Sequence, residues 1–155
     1  MEEIDCGRIS WSCRQICIQM ERLVNRFLDQ EGLTAVQAHV LQYILHRGQG
    51  TSLTEIHREL GCSMATLSCI VKRLKEKGYV RAECCVGDDR YKLLFATEKG
   101  QQAQKYLDGV ANTAQHQMYS CFSQDELVTL NRLQRKLLQN ILSLIDNTQK
   151  EASEP

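Results

Sequence analysis

Between Ser63 and Arg73 the side chains change from small and hydroxylic to basic along a short distance. Ala65, Ser68, Cys69, Lys72 and Arg73 recur at steps of three and four, so in a helix they share one side. Small residues there let another molecule's surface approach the backbone, and the cations that follow pair with anionic groups. Ser63 and Thr66 add hydroxyls at the same end. A second polar cluster, Asp88 and Arg90, has the spacing for a short ion pair that stiffens a loop. The eight cysteines (6, 13, 17, 62, 69, 84, 85 and 121) form no C-x-x-C pair, and the four histidines (39, 46, 57 and 116) are dispersed. A structural zinc site therefore has weak support, and no metal or cofactor is expected. The plain reading of the cysteines is that they are small apolar fillers. No glycine-rich phosphate loop, Ser/His/Asp order or pair of carboxylates on one helical face occurs, which points away from an enzyme.

The elements that must carry these residues are legible. Ile9, Cys13, Ile16, Met20, Leu23, Val24 and Phe27 predict an amphipathic helix over 9–28, ended by Asp29-Gln30-Glu31-Gly32. Thr34 caps a second helix with the stripe Val36, Val40, Leu41, Ile44 and Leu45. Ser52 and Glu55 have capping-box spacing and open a short third helix that Gly61 closes. Ser63 caps a fourth, with Leu67, Ile70, Val71 and Leu74 as its buried face. Two strands, 79–86 and 91–97, follow, joined by Gly87-Asp88-Asp89-Arg90. Thr97 caps a long helix reaching about Ser120. Ser123 and Glu126 open the last one, which carries a wide leucine and isoleucine stripe and frays from about Thr148. Helix, tight turn, helix and hairpin is the order of a winged helix-turn-helix, whose second helix enters the DNA major groove. The fold class is mainly α with a small antiparallel β wing.

Composition agrees with a single globular domain over 1–155: hydrophobic residues make up 43% and charged residues 25%, outside the disordered range. No apolar run approaches the roughly 18 residues of a membrane span. The acidic start, Met1-Glu2-Glu3-Ile4-Asp5, has no apolar signal core, so a cytoplasmic location is expected. The formal net charge is zero, which at first argues against nucleic acid. Its distribution argues the other way. Residues 57–92 hold eight Lys and Arg against five acids, whereas 1–50 and 101–155 each hold five against six. Basic charge is concentrated on the two-helix module and hairpin, as phosphate binding requires.

The chain resembles the MarR family of bacterial transcriptional regulators. The resemblance rests on Leu33-Thr34-Ala35-Val36-Gln37, Ser63-Met64-Ala65-Thr66-Leu67-Ser68, Arg73-Leu74-Lys75-Glu76-Lys77-Gly78-Tyr79-Val80, Asp88-Asp89-Arg90 and Thr97-Glu98-Lys99-Gly100, in that order and spacing. It implies a homodimer built by helices at about 4–30 and 100–149, with a winged helix-turn-helix core at about 34–99. It implies binding to a pseudo-palindromic double-stranded DNA operator, with repression relieved by a small aromatic or acidic effector. By family position, Arg90 enters the minor groove and Asp88 braces it, while Ser63, Ala65, Thr66, Ser68, Cys69, Lys72 and Arg73 form the reading surface.

The resemblance also places an effector pocket beside Trp11, His39 and Tyr43. A cysteine-based redox sensor is the alternative: the peroxide-sensing position of relatives falls at Ser10, with Cys13 one turn later, and Cys69 lies on the reading face itself. A metal sensor is less well supported, because Ala38 stands beside His39 where zinc-sensing relatives have a carboxylate. A winged-helix interaction module without DNA binding is the remaining reading. Ala96, where the family usually has leucine, and Cys69, where it often has a larger polar residue, depart from the pattern.

Overall fold

The computed structural model describes residues 5–28, 31–85 and 88–151; within these, the side chains of 85, 88–91 and 149–151 are outside the description. The chain forms two compact units, Met1–Gln115 and His116–Pro155.

In the first unit, α1 (Cys6–Phe27) starts earlier than the sequence pattern indicates, because the Asp5 carboxylate accepts the Gly7 amide at 2.8 Å. α2 (Ala35–Arg47) opens on a reciprocal capping box between Thr34 and Gln37. α3 (Leu53–Leu60) opens on a second, Ser52 with Glu55, and ends at Gly61, whose φ of 67° is the left-handed conformation that favours glycine. α4 (Met64–Glu76) begins after three linking residues, with the Ser63 hydroxyl accepting the Thr66 amide at 3.1 Å.

The strands β1 (Val80–Cys85) and β2 (Asp88–Ala96) pair antiparallel, from Val80 opposite Ala96 to Cys84 opposite Lys92. The register then breaks: Cys85 lies opposite Asp88. Asp88, Asp89 and Arg90, expected in the connecting loop, therefore belong to the second strand. A further backbone bridge joins Thr51 to Leu94, so the start of α3 is tied to the wing.

The core sits where these elements meet. Val40, Leu41 and Ile44 of α2 meet Ile56 of α3, Leu67, Ile70, Val71 and Leu74 of α4, and Tyr79, Val80 and Leu94 of the hairpin. α5 (Glu98–Tyr119) contributes Ala103, Leu107 and Val110 at helical spacing. Thr97 caps it by accepting the Gly100 amide at 3.2 Å. α1 joins through Val24, Phe27 and Leu28 at its end, while Ile9, Trp11 and Ile16 nearer its start are exposed.

The second unit contains α6 (Gln124–Glu151), capped by Ser123 and Glu126. It remains helical past Thr148, where fraying was expected. Leu133, Leu137, Leu138, Ile141, Leu142, Leu144 and Ile145 are all exposed on it.

Gly100 is a point of close approach. A methyl group there would run into the Tyr79 carbonyl oxygen. Alanine normally gains about 0.5–1 kcal/mol over glycine inside a helix. Here the sign reverses: Gly100→Ala is expected to destabilise the fold by about 1–3 kcal/mol, as overpacking does. Denaturant unfolding measures this, and a neutral or stabilised variant contradicts the packing described.

Candidate nucleic-acid interface

The connection between α3 and α4 is held from within. The His57 Nδ1–H donates to the Cys62 carbonyl at 2.6 Å, and Gly61 donates its amide to the His57 carbonyl at 2.9 Å. Two helices so joined are positioned by their inner faces. Leu67, Ile70, Val71 and Leu74 bury one side of α4, and the other side is free. Ser63, Ala65, Thr66, Ser68, Cys69, Lys72 and Arg73 are all exposed, so the seven residues singled out in α4 and its cap share one open surface. Lys72 lies 4.0 Å from Glu76, an exposed pair of the kind that contributes little and yields readily to a stronger anion.

A groove of about 410 Å³ separates this helix from the wing. Its lining is apolar at Leu53, Val71, Ala82 and Leu94 and polar at Ser68, Lys72, Lys75, Glu76 and Lys92. Lys75 and Lys92 were not among the expected site residues. Charge counting includes them in the basic segment, but only the hairpin register brings Lys92 near α4. Asp88 and Arg90 lie in β2, and the expected Asp88–Arg90 brace falls on side chains outside the described residues.

The C-terminal end of α4 is fastened by a cluster that sequence spacing does not reveal. The Lys77 ammonium donates to the Gly32 carbonyl and, at 3.0 Å, to Gln37 Oε1, reaching the loop before α2 and its capping glutamine. Lys99 donates to the Lys77 carbonyl at 2.8 Å, and its ammonium stands 4.3 Å from the centre of the Tyr79 ring. Thr97 donates its hydroxyl to the Gly78 carbonyl at 2.6 Å. The Tyr79 hydroxyl donates to Glu31 Oε2 at 2.6 Å. Burial, then the bond to Glu31 and its charge, push the Tyr79 phenol up to about 12, so it stays a neutral donor.

The expected effector residues are less concentrated. Trp11 on α1 and His39 on α2 are exposed. Tyr43 is half-buried, and its hydroxyl accepts from Arg47 at 3.1 and 3.0 Å. A cleft of about 360 Å³ lies instead among Ile44, Leu45, Gly48, Gly50, Arg81, Phe95, Ala96, Gln101 and Gln104. In it the Arg81 guanidinium stands 5.0 Å from the centre of the Phe95 ring. Cys13 and Cys69 are exposed free thiols. Among the described residues no group of three or more His, Cys, Asp and Glu side chains converges as a metal site. No helix among them is long and apolar enough to cross a membrane.

A sequence model of the MarR family matches residues 31–90. MepR of S. aureus, in a complex with DNA, is 22% identical, with a TM-score of 0.80 over 89% of this chain and 99% of that one. A cysteine-to-serine mutant of MarR from E. coli, complexed with operator DNA, is 25% identical, with a TM-score of 0.75 over 85% and 92%. Wild-type E. coli MarR in its apo form is 26% identical, with a TM-score of 0.68 over 88% and 99%.

Glu55 connects the support of this surface to pH. Its Oε2 accepts the Ser52 amide at 2.7 Å, the Thr51 hydroxyl at 3.0 Å and the Ser52 hydroxyl at 3.1 Å. These bonds, the Ser52 amide foremost, hold its carboxyl below the usual range. A depressed carboxylate contributes stability above its unfolded value, about 4.3, and that contribution is lost as pH falls through the folded value. Wild type is therefore expected to be more stable than Glu55→Gln at neutral pH, with the gap closing as pH falls below the unfolded value. Parallel denaturant midpoints across that range measure the gap; one that stays constant contradicts the assignment.

Proposed function

We propose that the chain is a winged-helix transcription regulator of the MarR family, a repressor acting as a homodimer on a pseudo-palindromic operator. The observation that carries this reading is the two-sidedness of α4: four apolar residues buried on one side, and Ala65, Ser68, Cys69, Lys72 and Arg73 open on the other. Small residues towards its N-terminus suit approach to base edges, and the cations beyond them suit phosphates. Lys75 and Lys92 extend the phosphate track along the groove towards the wing, where Arg90 takes the minor groove. A second copy of the chain covers the exposed apolar residues of α1 and those of α6. Two-fold symmetry then presents two reading helices to half-sites about one helical turn apart.

The effector in this reading is a small aromatic or acidic compound. The Arg81–Phe95 cleft supports it better than the surroundings of Trp11, His39 and Tyr43, since it sets a cation beside an aromatic ring. Cys69 favours a second reading, redox control: its exposed thiol lies on the reading surface, where oxidation to a sulfenic acid or a capped thiol obstructs the groove.

Binding to DNA of its own promoter should weaken linearly on a logarithmic salt scale. Lys72→Ala, Arg73→Ala and Arg90→Ala are each expected to reduce that slope by about 1 per phosphate contact removed. Sedimentation of the free protein should give a dimer. Absence of salt-sensitive binding, or slopes unchanged in all three variants, defeats the regulator reading. A release assay on the same DNA separates the two signals. Aromatic acids should release wild type but not Arg81→Ala, whereas release by peroxide that disappears in Cys69→Ser selects the redox reading.

A further inference from the structure

We propose that Cys13 and Cys17 form a two-thiolate site on α1 for a soft, univalent ion of the Cu(I) class. α1 is continuous from Cys6 to Phe27, so the two thiols stand one turn apart on the same side; both are unbridged and exposed on the single chain, on the side of α1 that a second copy is proposed to cover. Side chains four apart on a helix have their Cβ atoms about 5–6 Å from each other. A disulfide needs about 3.5–4.5 Å between those atoms, so the pair does not close readily on itself. A bridging ion relaxes that demand. With metal–thiolate bonds of about 2.3 Å, it holds two sulfurs up to about 4.6 Å apart.

The donor set selects the ion. Structural zinc takes four ligands, and no group of three or more His, Cys, Asp and Glu side chains converges among the described residues. Soft thiolates favour Cu(I), which is satisfied by two of them in a near-linear arrangement. Glu21, one turn beyond Cys17, offers hard oxygen donors that such an ion leaves to solvent. On binding, each thiol releases its proton to water and forms one sulfur–copper bond; no electron is transferred. The site shares no residue with the surface proposed to read DNA.

Ile9 and Ile16 flank this side of α1, so the titration is done on the reduced, full-length protein in its native assembly. Under anaerobic conditions, Cu(I) buffered by bathocuproine disulfonate is titrated into wild type, Cys13→Ser, Cys17→Ser and the double variant Cys17→Ser/Gln19→Cys. The double variant preserves the thiol count but moves the second sulfur by about 200° around the helix axis, away from Cys13. Wild type is expected to withdraw one more equivalent per chain from the chelator than any variant. Loss of the chelate should lower apparent affinity for that equivalent by roughly 10²–10⁴-fold. Circular dichroism verifies that each variant retains its helix content. Either single variant titrating like wild type overturns the proposal, and so does recovery of the equivalent in the double variant.

Discussion

α4 has to be held rigidly while one whole side of it stays exposed. Burial of Leu67, Ile70, Val71 and Leu74 fixes its rotation about its axis, but apolar contact alone is poorly directional. Its ends supply the direction. At the N-terminus the Ser63 cap and the His57–Cys62 hydrogen bond set the angle to α3. At the C-terminus Lys77 reaches Gly32 and Gln37, Lys99 and Thr97 cap the last carbonyls, and Tyr79 bonds Glu31. Cations at that end also complement the helix dipole.

The wing is registered to the same frame by a different route. Thr51 pairs its backbone with Leu94, while its hydroxyl shares Glu55 Oε2 with Ser52. One carboxylate therefore closes the start of α3 and reaches the residue that carries the strand. Gly100 adds a steric stop: the first turn of α5 can sit against the Tyr79 carbonyl only because no side chain intervenes. Polar bonds of modest individual strength thereby set the geometry of an interior that burial stabilises.

Local signals made much of this legible. Thr34, Ser52 with Glu55, and Ser123 with Glu126 announce helix starts; the two pairs form their reciprocal bonds, and Thr34 forms its own with Gln37, a partner not expected from the sequence. The four buried residues of α4 follow from a period of 3.6. The contacts that could not be read join residues far apart: Tyr79 with Glu31, Lys77 with Gln37, and Thr51 with Leu94. No periodicity encodes these, because only the packed fold brings them together. The strand start at Asp88 was missed for a related reason. Gly-Asp-Asp has the composition of a turn, yet β2 begins at Asp88, which pairs with Cys85 across a break in register. The Arg81–Phe95 cleft escaped as well, since its lining comes from α2, both strands and α5.

The attachment of Lys77 to the Gly32 carbonyl has a mechanical consequence. α4 contains 13 residues, a rod of roughly 20 Å by the usual rise per residue. It is pinned at its far end to the loop before α2, so that loop acts as the fulcrum of a lever. A tilt of about 5° there carries Ala65 through about 1.6 Å and Ser68 through about 1.2 Å, more than the tolerance of roughly 0.5 Å within which a hydrogen-bonded constellation operates. Displacements too small to disturb the core at the fulcrum are thus magnified at the tip.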